Sequence, residues 1–285
     1  MTGTLLNIAA TIDPLTVELL DAVDRATALL GMPYVIVGAT ARDLMLHHAH
    51  GIRIARATRD VDFGIEVPTW TAFAALREQL CALGFRSSGT THRLTGPADI
   101  PVDIVPFGGV ADEGATIGWP PEGAIVMNVL GFADACAAAQ RVRIRDQPAL
   151  DVPVATPAGL ILLKLIAWSD PARGAGRRRD AIDVAYVLAH YHQLADIRTA
   201  LYGDCAGVLE NYDWDLTIAG AYLLGVHSRH IAQLPTQQHV IRLGDAGPDG
   251  TALDRLAEAM SDRYEPDRAA RNRQLLSAFM EGFAP

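Results

Sequence analysis

The segment Arg59-Asp60-Val61-Asp62-Phe63-Gly64-Ile65 alternates polar and apolar side chains, and this alternation predicts a β-strand over residues 60–67. Residues two apart in a strand point to the same face, so the carboxylates of Asp60 and Asp62 would lie side by side. Two such carboxylates repel each other unless a cation lies between them, and carboxylate oxygens are ligands that Mg²⁺ prefers. The pair therefore indicates a magnesium site; the alternative is a polar strand edge that faces water.

A second signal lies before this strand. Residues 34–37 (Tyr-Val-Ile-Val) predict a short buried strand that ends at Gly38, and residues 39–48 predict a helix that follows without a loop. The first N–H groups of a helix have no partner within it and can bind an anion, while glycine lets the backbone approach a phosphate closely. The junction is therefore either a phosphate-binding turn or an ordinary connection between a strand and a helix.

A third carboxylate lies further along the chain, in Pro101-Val102-Asp103-Ile104-Val105. An unpaired charge among apolar side chains is costly to bury, so Asp103 either faces solvent or is held by a metal ion or a hydrogen-bond donor. If its strand lies beside the strand of Asp60, the three carboxylates converge at one place.

The single lysine of the chain, Lys164, lies in an apolar helix predicted over residues 157–168. A lysine in such a place either extends to the surface or directs its ammonium group at an anion. Asp180 and Asp183 follow near the start of the next predicted helix, three residues apart and hence on one face. Carboxylates near a helix N-terminus also stabilise the helix, which is the alternative explanation of this pair.

The order of predicted elements gives the domain organisation. Strands and helices are mixed up to about residue 150, and helical periodicity replaces them afterwards. Further strands are predicted around residues 92–95, 102–107, 125–129 and 141–145. Later helices are predicted over residues 178–190, 215–230, 253–263 and 267–283. We therefore predict an α+β fold, with a mixed β-sheet and flanking helices in a domain spanning residues 1–150 and a helical domain spanning residues 151–285.

The composition excludes several classes of protein. The 285 residues are 50% hydrophobic and 20% charged, which excludes wholesale disorder, and three cysteines are too few for a disulfide scaffold. A formal net charge of −9 argues against a surface that coats nucleic acid broadly. No segment approaches the roughly 20 apolar residues of a membrane span, and no export signal is recognised. We expect a cytoplasmic protein that does not enter a membrane.

Taken in order, these segments resemble the nucleotidyltransferases of the DNA polymerase β superfamily. From Val35 to about Tyr186 the chain is more closely similar to the AbiEii/AbiGii-type nucleotidyltransferase toxins. The segments that carry the similarity are residues 37–44 (Val-Gly-Ala-Thr-Ala-Arg-Asp-Leu), 58–63 (Thr-Arg-Asp-Val-Asp-Phe), 101–105, the lysine helix and 179–183 (Arg-Asp-Ala-Ile-Asp). The resemblance implies a nucleotidyltransferase-like mixed sheet in a catalytic domain, followed by a helical domain that completes the nucleotide and acceptor site.

The resemblance also implies roles for individual residues. Asp60, Asp62 and Asp103 would hold two Mg²⁺ ions that contact the phosphates of a nucleoside triphosphate, the substrate. The residues that would contact these phosphates are Gly38, Ala39, Thr40, Arg42 and Lys164. Asp180 would orient Lys164 or contact the nucleotide. Four arginines would either add positive charge at the rim of the site or lie on the surface: Arg42, Arg53, Arg56 and Arg59.

The acceptor is less well defined than the donor. The resemblance implies a toxin of a type IV toxin–antitoxin system that transfers a nucleoside monophosphate to an RNA, such as a tRNA end, or to a protein, and that has a separately encoded antitoxin. One alternative is transfer to a small molecule such as an antibiotic. The other is a catalytically inactive nucleotide-binding regulatory module, because Ala39 follows Gly38 where the superfamily usually has glycine or serine.

Overall fold

The computed structural model of the chain describes residues 5–54, 58–121, 123, 125–247, 250–261 and 266–284. The chain divides into two compact units, Met1–Thr156 and Pro157–Pro285. The predicted division between residues 150 and 151 falls within a strand, Leu150–Val154, that belongs to the first unit.

The described part of the first unit contains a mixed eight-stranded sheet. Its strands are β1 (Leu6–Asn7), β2 (Tyr34–Val37), β3 (Val61–Val67), β4 (Arg86–Ser87), β5 (Arg93–Thr95), β6 (Pro101–Gly108), β9 (Gln140–Arg145) and β10 (Leu150–Val154). They lie in the order β1-β9-β10-β2-β3-β6-β5-β4. The strands of a separate antiparallel pair are β7 (Thr116–Gly118) and β8 (Val126–Asn128), so the strand predicted around residues 125–129 forms outside the main sheet.

The helices of the first unit flank this sheet. They are α1 (Pro14–Leu30), α2 (Gly38–Arg42), α3 (Trp70–Ala82) and α4 (Phe132–Ala137). Helix α2 begins directly after β2 and continues as a π-helical segment, Asp43–His48. The helix predicted over residues 39–48 is therefore present, with an α-helical first part and a π-helical second part. The predicted α+β class with a mixed sheet and flanking helices is confirmed, since β3 pairs antiparallel with β2 and parallel with β6.

The centre of the sheet is apolar because its central strands β2 and β3 consist mostly of apolar residues. All four residues of β2 are buried, and in β3 the apolar side chains Val61, Phe63, Ile65 and Val67 are buried. Burial of side chains of this size stabilises a fold by about 1.5–3 kcal/mol each. Asp62 interrupts this run and is half-buried, so it is the position at which the sheet interior meets polar surroundings.

The described part of the second unit is almost wholly helical. Its helices are α5 (Pro157–Ser169), α6 (Gly176–His190), α7 (Ala195–Tyr202), α8 (Ala206–Asn211), α9 (Leu216–Ile231), α10 (Leu234–Arg242), α11 (Ala252–Ala259) and α12 (Pro266–Phe283). Two short strands, β11 (Ala246–Gly247) and β12 (Gly250–Thr251), pair antiparallel. The end of the helix predicted over residues 253–263 lies outside the described residues. Among the helices described, none is long and apolar enough to cross a membrane.

Candidate active site

The three predicted carboxylates are brought together by the central strands of the first unit. Asp62 on β3 is the register partner of Asp103 on β6, because the two strands are parallel neighbours and each carries its acidic residue at the same level. On its other side Asp62 is paired with Val37, the last residue of β2. Asp60 lies immediately before β3, two residues from Asp62. The strands of Asp62 and Asp103 are thus neighbours, which is the condition under which the sequence predicted that the three carboxylates converge.

A residue that the sequence analysis did not select, Arg93, links two of these carboxylates. Its Nε lies 2.6 Å from Oδ1 of Asp103 and its Nη2 lies 2.6 Å from Oδ2, so the two side chains form a bidentate ion pair. The same Nη2 lies 3.4 Å from Oδ2 of Asp60. The contact follows from the sheet, since β5 pairs antiparallel with β6 and places Arg93 directly opposite Asp103. Of the two alternatives for Asp103, the structure shows the one in which a donor holds the carboxylate.

Electrostatics within this cluster favour bound cations. The hydrogen bonds to Asp103, followed by the negative charges of Asp103, Asp60 and Asp62, raise the pKa of the Arg93 guanidinium, although partial burial acts in the opposite direction. Three carboxylates and one guanidinium leave these four groups with a formal net charge of −2. The cluster therefore still attracts positive charge after Arg93 has bound.

The donor set suits a divalent cation by its chemistry. Carboxylate oxygens are the hard ligands that Mg²⁺ and Mn²⁺ take in proteins. The guanidinium of Arg93 is a side-chain cation that contacts the carboxylates of both Asp60 and Asp103. As the side chains stand, no group of three His, Cys, Asp or Glu residues in the described part of the chain is arranged to hold a metal ion. Asp60, Asp62 and Asp103 thus fit a divalent cation by the chemistry of their oxygens, while in the observed arrangement Arg93 engages Asp60 and Asp103.

Gly38 fits the site because no side chain is tolerated there. Its φ is +66°, a conformation that side-chain-bearing residues rarely adopt, and a Cβ atom would lie 2.0 Å from Oδ2 of Asp62. The bend therefore packs directly on the Asp62 carboxylate. Two residues on, the Thr40 hydroxyl donates a hydrogen bond of 3.0 Å to the carbonyl oxygen of Asp60. Gly38 and Thr40 together fix the start of β3, with Asp62 on the strand and Asp60 immediately before it.

This packing gives a stability prediction for Gly38→Ala. The variant should lose about 1 kcal/mol of unfolding free energy to its left-handed backbone and about 1–3 kcal/mol more to the overlap with Asp62. Gly31→Ala is the matched control, because Gly31 has a φ of +64° and nothing lies within 4 Å of its added Cβ. Urea unfolding of both variants measures the difference. Equal losses in the two would show that the Asp62 carboxylate moves aside at no cost.

The other residues predicted at the phosphate turn differ in exposure. Ala39 is buried, and Arg42 is only 3% exposed and pairs with Asp43 through its Nε and Nη2, each 2.8 Å from Oδ1. Burial raises the pKa of Asp43 against the opposing charge of Arg42. Arg42 therefore lies in the interior and not at an exposed rim. Of the remaining rim candidates, Arg53 and Arg59 are exposed, and Arg56 lies outside the described residues.

The predicted lysine site of the second unit is an ion-pair cluster between α5 and α6. Nζ of Lys164 lies 2.9 Å from Oδ1 of Asp180 and 2.7 Å from Oδ2 of Asp183. Nε of Arg173 lies 2.9 Å from the other oxygen of Asp180. Asp180 is 1% exposed and the Lys164 side chain 18% exposed. Of the two alternatives for Lys164, the structure shows the one in which the ammonium group is directed at anions.

The charge state of this lysine follows from its partners. Burial alone would lower the pKa of the ammonium group, but the charges of Asp183 and Asp180 and the hydrogen bonds to both outweigh it, so the pKa of Lys164 is raised. Arg173 was not predicted, although its position seven residues before Asp180 near the start of α6 could have suggested it.

Among known proteins, the chain is similar to two solved structures and matches one family model. No curated protein matches the sequence. The solution structure of the antibiotic-resistance factor ANT(2'')-Ia is 16% identical, covers 71% of this chain and 99% of its own, and gives a TM-score of 0.35. The crystal structure of an antigenic nucleotidyltransferase-like protein from Paracoccidioides brasiliensis is 17% identical, covers 72% of this chain and 91% of its own, and gives a TM-score of 0.38.

The family match spans both units. The family model described as nucleotidyl transferase AbiEii toxin, type IV toxin–antitoxin system, matches residues 19–281. This range contains the acidic cluster on β3 and β6 as well as the lysine cluster on α5 and α6. The family resemblance recognised in the sequence is thus confirmed, and the chain belongs to the AbiEii nucleotidyl transferase toxin family of type IV toxin–antitoxin systems.

Proposed function

We propose that the protein transfers a nucleoside monophosphate from a nucleoside triphosphate to an acceptor hydroxyl, in a reaction that depends on Mg²⁺. The observation that carries this proposal is the register of Asp62 with Asp103 beside the Gly38 bend, with Asp60 two residues away. Membership of a nucleotidyltransferase family supports the reaction class. The net charge of −2 on the cluster that includes Arg93 supports cation binding.

In the proposed reaction, each group of the first unit has a separate task. Asp60, Asp62 and Asp103 would hold two Mg²⁺ ions, which when bound neutralise phosphate charge and lower the pKa of the acceptor hydroxyl. The backbone N–H groups of Ala39 and Thr40, in the first turn of α2 after Gly38, would bind phosphate oxygens. The acceptor hydroxyl would lose its proton to solvent, and its oxygen would bond to the α-phosphorus as the bond to the departing pyrophosphate breaks. Thr40 would act through its backbone, since its hydroxyl is bonded to the Asp60 carbonyl oxygen.

For the second unit we propose that Lys164 binds a phosphate of the nucleotide and that Asp180 orients it. The 2.9 Å contact between Lys164 Nζ and Asp180 Oδ1 supports the orienting role. Asp183, 2.7 Å from the same Nζ, would share that role. Because Lys164 is held on both sides by buried carboxylates, its ammonium group points in one fixed direction, which a binding residue needs.

The acceptor that we propose is RNA, and a tRNA in particular, with a separately encoded antitoxin protein as the partner. Membership of a toxin family of type IV toxin–antitoxin systems supports an antitoxin partner and a cellular target. With a net charge of −9, the protein would contact RNA only locally. Exposed arginines that suit such a contact are Arg53, Arg59, Arg173, Arg178 and Arg179. Three free cysteines are consistent with our proposal of a cytoplasmic location.

The test is incubation of the purified chain with each labelled nucleoside triphosphate, Mg²⁺ and total RNA, followed by the same reaction with a panel of antibiotics. We expect label in RNA of tRNA size, and loss of the label when EDTA removes the divalent cation. Label on an antibiotic would instead identify a small-molecule nucleotidyltransferase. A third reaction offers the proteins of a cell lysate as acceptors. Binding of a nucleotide without transfer to RNA, antibiotic or protein would identify an inactive regulatory module and refute the proposal.

A further inference from the structure

Arg93 occupies the atoms that a divalent cation at this site would need. Both oxygens of Asp103 accept a hydrogen bond from its guanidinium, each at 2.6 Å, and Asp60 is reached by the same Nη2. When a planar guanidinium binds both oxygens of a carboxylate, the lone pairs that accept these two hydrogen bonds are not available to a metal ion. A metal ion bound to the same oxygens would also lie within a few ångströms of a like charge.

The position of Arg93 in the sheet makes this pairing a property of the fold. Arg93 is opposite Asp103 in the register of β5 and β6, so its side chain projects on the same face as the carboxylate. The guanidinium is able to leave, since its side chain is 39% exposed and lies on a strand of three residues. It is thus a tethered cation that can either pair with Asp103 and Asp60 or extend into solvent.

We propose that Arg93 is a built-in competitor of the divalent cation, whose guanidinium must leave Asp103 and Asp60 before the metal binds. This inference rests on the proposed function, because it takes Asp60, Asp62 and Asp103 as the metal ligands. Arg93 is a positioning residue in this scheme: it holds the carboxylates in place and keeps the metal affinity of the enzyme without nucleotide low. If the guanidinium is displaced about one tenth of the time, the apparent metal affinity falls about tenfold.

The experiment measures metal binding and not activity. Mn²⁺ alone is titrated into the full chain, stripped of metal and without nucleotide, and free Mn²⁺ is followed by electron paramagnetic resonance. We expect Arg93→Gln to bind Mn²⁺ on the order of tenfold more tightly than the unaltered chain. Arg93→Met, which keeps the length of the side chain without its charge, should show the same gain. Either variant alone decides the question if circular dichroism shows that the other has not folded.

Two further variants place the effect at this cluster. Arg86→Gln is the matched control, because Arg86 lies on the neighbouring strand β4 and forms an exposed ion pair with Asp99; its Mn²⁺ affinity should be unchanged. Adding Asp62→Asn to Arg93→Gln should abolish the gain. Equal or weaker Mn²⁺ binding by both Arg93 variants, or a gain that survives Asp62→Asn, would overturn the inference.

The outcome is separable from that of the proposed function. If the unaltered chain transfers no nucleotide while Arg93→Gln gains Mn²⁺ affinity through Asp62, the competition stands and the proposed reaction is refuted. If the unaltered chain is an active nucleotidyltransferase while the Arg93 variants gain no affinity, the competition alone is refuted.

Discussion

Replacement of Asp62 by Asn is expected to reduce nucleotidyl transfer at least about 10³-fold while the protein remains folded. Asn has nearly the same shape, so it preserves the packing of this side chain against Gly38 and the register with Asp103. It removes the negative charge that a divalent cation requires. The measurement is the initial rate of label transfer to RNA at saturating nucleotide, with urea unfolding to show that stability is retained.

Asp99→Asn is the matched control for this experiment. Asp99 is exposed, precedes β6 and pairs with Arg86 at the surface, so its charge contributes at most about 1 kcal/mol and its loss should leave the rate within about twofold. Its φ of +57° is one that Asn adopts readily. A rate for Asp62→Asn above one tenth of the unaltered rate would remove Asp62 from the proposed metal site.

Replacement of Lys164 by Met is expected to lower the free energy of unfolding by about 3–5 kcal/mol, since it leaves buried Asp180 and Asp183 without their ammonium partner. Arg173 still contacts Asp180 but is itself 45% exposed, so it compensates only in part. Urea unfolding followed by tryptophan fluorescence, to which the buried Trp168 of α5 contributes, measures the change.

The origin of that loss can be tested with two further variants. Arg273→Met removes a cation of the same unit whose contacts with Asp254 and Glu258 are exposed and 3.8 Å long, and it should cost less than about 1 kcal/mol. Adding Asp183→Asn to Lys164→Met should restore part of the lost stability, because it removes a buried charge. A loss below 1 kcal/mol for Lys164→Met would mean that water solvates both carboxylates.

The sequence was sufficient to predict the strands that carry the acidic residues. Alternation over residues 60–67 predicted β3 to within one residue, because one face of that strand is buried and the other is not. The isolated Asp103 among apolar residues predicted either a carboxylate that faces solvent or one that is held, because an unpaired buried charge is too costly. Lys164 was noted as a lysine in an apolar helix and Asp180 and Asp183 as two carboxylates on one helix face. The ion pairs between them follow from the packing of α5 against α6.

The part that could not be predicted depends on register. A strand was predicted over residues 92–95, yet its sequence does not fix the register with β6 that sets Arg93 opposite Asp103. A shift of one residue would have pointed this side chain to the other face. Arg42 was placed at a rim for a similar reason, since its burial depends on how α2 packs and not on its neighbours in sequence. Helices α7, α8 and α10 were not predicted.

The strand that carries Arg93 has three residues and lies between β6 and the two-residue strand β4 at the border of the sheet. Short border strands take part in local openings that leave the middle of a sheet closed. Amide protons of β5 should therefore exchange with deuterated water well before those of β3 and β6. The arginine is thus expected to lie on a strand that opens more readily than the two central strands beside the carboxylates that it holds.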